Sequence, residues 1–286
     1  MKIIKYFFEF LFVIIFFCIF KILGSRNASN LGEIIGKIFG PLFRSNLKIL
    51  KNLENSKIAS SKKERKNIVN NMWGNYGRIL AEYVFIKKYR NDVYTKNIEV
   101  VGKDILEKIK LQREPVIFVS GHFNNFELMA MYIEKSDIDL AAIYRPLNNI
   151  FLNPIMEKIR KNYICKKQVK KGISGTKEIL RYFKNGTSIA LMIDQRVSEG
   201  INCKFFDNEA FTTTIPAQFV KKFNCKVVPI YIQRLKADNF KLEIFKPIEY
   251  SKNETIESIT LNLNKVLENL IRKNPGQWIW SHNRWK

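Results

Sequence analysis

The sequence predicts an α/β protein: a mixed, largely parallel sheet flanked by helices, with an N-terminal membrane-anchoring helix and a helical N-terminal segment ahead of the sheet. Three observations predict it. From about Asn97 short β-rich runs alternate with amphipathic stretches, as strand–helix crossovers require. Residues Ile3–Leu23 are almost all aromatic or aliphatic. The 286 residues, 46% of them apolar, suffice for one full core, and no repeat, low-complexity tract or Pro/Gly linker divides the chain. The expected organisation is an anchor over residues 1–23 and one domain over residues 24–286, mostly helical to residue 96 and α/β from residue 97.

The anchor comes first. An unbroken apolar run covers Phe10–Phe20, and within Ile3–Leu23 charges enter only at Lys5, Glu9 and Lys21. As a helix this stretch reaches about 30 Å at ~1.5 Å per residue, barely a hydrocarbon thickness. A secretory signal is the rival, since Lys2 and Lys5 precede the apolar run. Glu9 breaks its basic leader, Lys21 follows the run and no A-x-A cleavage site is present, which favours an uncleaved anchor, spanning or interfacial. A buried core helix is the third reading. Lys21, Arg26, Lys37 and Arg44 outnumber Lys2 and Lys5, so the body is expected on the cytoplasmic side of its membrane. A second apolar stretch, Leu31–Phe43, fits either the interface or the body.

From Asn46 to about Lys96 the chain reads as helical, with Met72, Trp73, Tyr76, Leu80 and Val84 at helical spacing. Beyond it the expected strands are Ile98–Val101, Pro115–Ser120, Leu140–Tyr144, Ser188–Ile193, Lys226–Ile232 and Phe240–Phe245. The expected helices are Asp104–Leu111, Asn125–Glu134, Asn153–Lys161, Gly175–Phe183, Ile215–Phe223 and Ile256–Arg272.

Composition narrows the function. Lys and Arg number 49 against 26 Asp and Glu, a net charge of +23 that suits an anionic partner, although Lys far exceeds Arg, as AT-rich coding would produce. The lysines are scattered and no zinc-finger, RNP or helix-turn-helix signature is present, which counts against a nucleic-acid-binding module. The four cysteines are far apart and only His122 and His282 are histidines, so neither a disulfide framework nor a His-based metal site is expected.

The chemistry concentrates in Pro115-Val-Ile-Phe-Val-Ser-Gly-His-Phe-Asn-Asn-Phe-Glu127. A buried strand runs into Gly121, and His122 follows at the carboxyl edge, where open α/β sheets bind ligands. Asn124 or Asn125 can cap the next helix and place Glu127 in its first turn. An imidazole, with its ordinary pKa of about 6.5, can take a proton from a hydroxyl, and a carboxylate can hold its tautomer. The plain alternative is a structural histidine and a capping glutamate. No nucleophile elbow accompanies Ser120, so direct transfer reads better than an acyl-enzyme. Gly172-Ile-Ser-Gly175-Thr-Lys177 lacks the phosphate-loop register and reads as a helix start after a basic loop.

Gly121-His-Phe-Asn-Asn-Phe-Glu127 resembles the H-x4-[DE] block of the lysophospholipid-acyltransferase superfamily, and its Glu form resembles the lipid A biosynthesis acyltransferases. Further blocks follow in order. Tyr144-Arg-Pro-Leu-Asn-Asn149 is similar to Y-R-P-x-x-N, with Arg160 similar to a downstream arginine. Gly186 through Asp194-Gln195 resembles a strand ending in D-Q, Phe205-Phe206 with Thr212-Thr213 resembles F-F-G…A-x-T, and Val228-Pro229 a later V-P. Pro275-Gly-Gln-Trp-Ile-Trp-Ser-His-Asn-Arg-Trp-Lys286 resembles the P-x-Q-W-x-W-x-H-x-R-[WF]-K tail. Two departures stand out: Asp207 occupies the position of the glycine after the Phe pair, and Asn125 follows Asn124 where Gly-Asn-Trp before the Glu is common. Both residue types tolerate positive φ.

The resemblance implies transfer of a fatty acyl chain from acyl carrier protein to a hydroxyl of an anionic phosphorylated glycolipid, a lipid A precursor, with no cofactor and no metal. It implies His122 as base with Glu127 orienting it, and Arg145, Arg160, Asn149, Asp194, Gln195 and Arg284 toward substrate. Trp278, Trp280 and Trp285 are expected to pack, and His282 to be a satisfied structural residue. Rival readings are a related acyltransferase acting on another glycolipid or a lysophospholipid, a membrane-tethered basic nucleic-acid-binding module, and an inactive scaffold.

Overall fold

The computed structural model describes residues 2–285, so Lys286, which ends the tail block, lies outside the described residues. The chain opens with α1, Lys2–Phe43, broken at Gly24, whose φ of 75° and ψ of 163° are non-helical. The two apolar stretches of the sequence are thus the two arms of one bent element. The expected helical segment follows as α2, Asn46–Ser56, α3, Lys62–Glu82, and α4, Ile86–Arg90. Ser61 caps α3 by accepting the Glu64 N–H at 3.1 Å, while the Glu64 carboxylate takes the Ser60 N–H at 2.9 Å.

Large apolar side chains at helical spacing point to one face of α3, but the tightest contact lies elsewhere. Leu80 stays 37% exposed. The second arm of α1 instead sets Gly32, Gly36 and Gly40 against Trp73, Gly77 and Ala81 of α3. A Cβ on Gly36 would stand 2.2 Å from the Trp73 carbonyl oxygen, and one on Gly77 1.8 Å from the Gly32 oxygen. Backbone cannot yield as a flexible side chain can, so Gly36→Leu is expected to pry the helices apart. Overpacking of this kind costs about 1–3 kcal/mol. A thermal midpoint lowered by roughly 2–10 °C in detergent, measured beside the parent protein, is the check.

The α/β part runs β1 (Ile98–Val101), α5 (Lys103–Gln112), β2 (Ile117–Ser120), α6 (Glu127–Lys135), β3 (Leu140–Tyr144) and α7 (Leu152–Tyr163). It continues with β4 (Lys167–Lys170), α8 (Ile173–Lys184), β5 (Ser188–Met192), β6 (Ile201–Phe205), β7 (Asn208–Thr212) and α9 (Ile215–Phe223). Last come β8 (Val227–Lys236), β9 (Asn239–Ile244) and α10 (Ile256–Lys273). The main sheet has the order β1-β9-β8-β2-β5-β3-β4. Its neighbours are parallel except the β8–β9 hairpin, so the sheet is mixed and largely parallel as expected.

Each of the six expected strands and six expected helices is present, with β8 extended to Lys236. Three strands go beyond the sequence reading. Edge strand β4, Lys-Gln-Val-Lys, buries only Val169 and so shows no apolar run. The β6–β7 hairpin turns through Phe206 and Asp207, both left-handed at φ 51° and 59°, as a two-residue hairpin loop requires. Asp207 therefore takes the positive φ that a glycine commonly supplies.

Strands β2 and β5 form the centre of the sheet. Ile117, Phe118, Val119, Ile189 and Val228 of neighbouring β8 are at most 2% exposed. From β2 the chain goes to β3 on one side of this pair; from β5 it goes to β8 on the other. Connections that diverge so leave a crevice at the carboxyl ends of the strands.

Candidate active site

Parallel register brings two distant residues into this crevice. Ser120 of β2 pairs with Met192 of β5, and the Ile193 N–H still donates to the Ser120 carbonyl at 2.9 Å. Two residues further along each strand stand His122 and Asp194. The His122 N–H donates to Asp194 Oδ2 at 2.7 Å, and ring Nδ1 lies 2.8 Å from Oδ1. Trp278 Nε1–H donates to Oδ2 at 2.9 Å, so the carboxylate receives three bonds. Asp194 is fully buried. Burial alone would raise its pKa, but His122 and His282 beside it and the backbone N–H hold it well below the carboxylate range.

The carboxylate that holds His122 is thus Asp194, not the Glu127 of the sequence expectation. Glu127 does open α6, yet its Oε1 faces Tyr83 and Arg160. The Tyr83 hydroxyl donates to it at 2.5 Å, and Arg160 Nε and Nη2 at 2.8 and 2.7 Å. Burial would lower the Arg160 pKa, but Glu127 and Tyr83 raise it above the ordinary arginine value. The Tyr83 hydroxyl is pushed well up by burial and by Glu127, so it stays a proton donor. Neither Asn124 nor Asn125 caps α6. Asn124 makes the turn at φ 45°, and Asn125 Nδ2 donates to Glu82 at 3.0 Å. Buried Glu82 also takes bonds from Ser29 and Arg234, tying the His122 loop to α1 and β8.

His122 and Glu127 both line a cavity of about 240 Å³ over the face of the sheet. Its walls are apolar: Ala130, Ala142, Ile143, Ala190, Leu191 and Val197 contribute. Ala142 and Ala190 are register partners on β3 and β5, and their small side chains leave the space open. Arg145, Arg160, Lys170 and Lys171 supply positive charge, next to the amino end of α8 at Gly172. The Gly172–Lys177 stretch is therefore the helix start that the sequence suggests. Among the described residues no group of three or more His, Cys, Asp or Glu could hold a metal ion.

The other expected site residues divide. Gln195 lines the cavity, with Nε2 at 3.4 Å from His122 Nε2 and 3.0 Å from His282 Nε2. Asn149 does not. Its Oδ1 accepts the Phe151 and Leu152 N–H groups at the start of α7, and its Nδ2 donates to the Tyr6 carbonyl. Arg284, expected toward phosphate, is fully buried. Its guanidinium donates to the Phe211 carbonyl and Thr212 Oγ1, both at 2.8 Å, and stacks 4.6 Å from the Phe205 ring centroid. It fastens the β6–β7 hairpin and does not line the cavity. Tyr83, Phe126, Glu82 and the indole of Trp278 are site-building residues that the sequence reading did not place. Phe126 packs edge-on to the His122 ring at 4.8 Å. No motif singles out Tyr83 or Glu82, because their role depends on where α3 ends.

His282 gives a pH signature. Burial lowers its pKa, Asp194 opposes this, and His122, Arg44 and Arg284 lower it further, to about 4. The unfolded chain accepts this proton near pH 6.5, whereas the folded chain refuses it until about pH 4. Its contribution to stability is therefore whole above pH 6.5 and is lost as pH falls toward 4, a change on the order of 3 kcal/mol. Thermal midpoints between pH 7 and 4 are expected to fall less steeply for His282→Asn than for the parent; identical slopes would contradict the assignment.

Comparison with known proteins adds the family. The family model described as bacterial lipid A biosynthesis acyltransferase matches residues 1–286. The lipid A biosynthesis palmitoleoyltransferase of Escherichia coli (strain K12) is 25% identical over 260 residues, covering 90% of this chain and 84% of that protein. The lipid A biosynthesis lauroyltransferase of the same organism is 22% identical over 266 residues with the same coverage. Among solved structures, the 1-acyl-sn-glycerophosphate acyltransferase of Thermotoga maritima covers 90% of this chain and 100% of its own at 13% identity. With a TM-score of 0.43 it bears on no residue of the site.

Proposed function

The chain belongs to the bacterial lipid A biosynthesis acyltransferase family, and from that premise we propose that it moves a fatty acyl chain from acyl carrier protein to a hydroxyl of a lipid A precursor, with His122 as general base. The carrying observation is His122 itself, held through Nδ1 by a buried carboxylate while its ring borders an apolar-walled, cationic cavity.

The geometry supports a direct transfer. With Nδ1–H donating to Asp194, Nε2 keeps its lone pair and can take the acceptor hydroxyl proton. The hydroxyl oxygen then attacks the thioester carbonyl carbon, and the C–S bond of the tetrahedral adduct breaks. The departing sulfur recovers the proton from the imidazolium as the ester forms. Asp194 stabilises that imidazolium. Glu127 acts at one remove: it points the Arg160 guanidinium into the cavity, where it can meet the developing oxyanion or a phosphate. Arg145, Lys170 and Lys171 suit the phosphates of the acceptor, and the alanine-floored wall suits an acyl chain. The +23 charge fits both an acidic carrier protein and an anionic inner-membrane surface on the cytoplasmic side.

The test is a transferase assay on detergent-solubilised protein, with labelled acyl thioesters of acyl carrier protein or coenzyme A as donors. Tetra-acylated phosphorylated lipid A precursors, with and without inner-core sugar, serve as acceptors beside a lysophospholipid. Transfer from the carrier-protein thioester to a lipid A precursor is the expected result. Transfer to the lysophospholipid alone would remove the acceptor assignment, and preference for coenzyme A would remove the donor.

A further inference from the structure

The first arm of α1, residues 2–23, has two faces with different neighbours. Tyr6, Glu9, Phe10, Val13, Phe16 and Phe20, three or four residues apart, form its covered side. That side meets the body at both ends. Near the amino end Asn149 Nδ2 donates to the Tyr6 carbonyl at 2.8 Å and to Glu9 Oε2 at 3.3 Å. Phe151 packs on Phe7 and Phe10, with ring centroids 5.7 and 5.9 Å apart. Near the other end Phe20 is 1% exposed, and Ser25 Oγ just beyond the bend lies 3.4 Å from the Tyr89 hydroxyl.

The opposite stripe stays exposed. Ile4, Phe8, Ile15 and Ile22 are 58–85% exposed, and Phe12 and Ile19 lie between them. Lys2, Lys5 and Lys21 flank the stripe, and all three are exposed. An apolar stripe with basic ends complements lipid tails beneath anionic headgroups.

We propose that this arm lies along the body within one leaflet of a lipid bilayer and does not span it. A helix of this length reaches about 30 Å, so a body touching both its ends cannot stand outside a membrane that the helix crosses upright. The uncharged run Phe10–Phe20 rises only about 16 Å, half a hydrocarbon thickness. Glu9 agrees: in a span its carboxylate would enter hydrocarbon, whereas here it pairs with Lys5 at 3.8 Å and with Asn149. The latch also places the membrane relative to the site. Asn149 is in the loop that leaves β3 just after cavity-lining Arg145, and exposed Leu147 and Ile150 of that loop add apolar surface beside the arm. A lipid acceptor then reaches the cavity from the bilayer, a consequence that rests on the proposed reaction; the membrane contact itself does not.

Nitroxide depth measurements test this on the full chain, reconstituted into vesicles of phosphatidylethanolamine and phosphatidylglycerol. Labels go on Ile4→Cys, Phe8→Cys, Ile15→Cys and Ile22→Cys in a Cys18→Ser, Cys225→Ser background, with Lys252→Cys as the exposed reference on the body. The four exposed positions leave the core untouched. Equal depths of about 5–10 Å below the headgroups at all four, judged by oxygen and a water-soluble nickel complex, are expected. A label at Ile15 deeper than one at Ile4 by about 16 Å would establish a span and overturn the proposal. Labels as water-accessible as Lys252→Cys, or shielded from both relaxing agents by a second copy of the chain, would overturn it equally.

Discussion

His122→Ala is expected to lower the rate of acyl transfer by about 10²–10⁴-fold, the usual cost of removing a general base. The protein should remain folded. The His122 side chain is 18% exposed, and the loop around it is held by other groups: the His122 N–H on Asp194, Asn124 on Gln277 and Asn125 on Glu82. A thermal midpoint within a few degrees of the parent, together with near-parental binding of the lipid acceptor, would separate lost chemistry from lost structure. Retention of a tenth or more of the activity would rule out His122 as the base.

Asp194→Asn should cost nearly as much, for a reason that leaves the site intact in outline. The carboxylate presents acceptors to three donors: the His122 N–H, His122 Nδ1–H and Trp278 Nε1–H. An asparagine has one acceptor oxygen. If that oxygen stays with the backbone and the indole, the amide NH2 faces Nδ1 and forces the ring into the tautomer whose Nε2 carries the proton. That nitrogen can no longer accept one. In a serine-protease triad the same change costs about 10⁴-fold, and a loss of about 10²–10⁴-fold is expected here. Transfer kinetics of Asp194→Asn and Glu127→Gln, run side by side, discriminate the two carboxylates. Full activity in the first with a large loss in the second would return the orienting role to Glu127.

The contrast between these carboxylates shows what the residues alone reveal. His122 and Glu127 share a short motif, so their pairing suggests itself from spacing. Asp194 lies 72 residues beyond His122 and reaches it only because β2 and β5 are parallel neighbours in a particular register. Periodicity reports which face of a strand is buried but not which strand lies next to it. Arg284 and Asn149 make the same point in reverse: both belong to recognisable blocks, yet one clasps a hairpin and the other latches the amino-terminal arm. A motif records that a residue is required and leaves open whether chemistry or packing requires it.

The α/β class, the apolar amino-terminal helix, every helix and strand with a clear apolar period, and the strand end where His122 sits are all legible in the residues alone. These follow from local rules: burial period, turn residues and caps act within a few positions of the chain. The folded chain was needed to show that Asp194 holds His122, that Glu127 bonds Arg160, that glycines carry the α1–α3 contact and that the first arm of α1 runs along the body. Each of these depends on strand order, close backbone approach or a contact between residues far apart in sequence. Pattern is local, and the site is built from what the fold brings together.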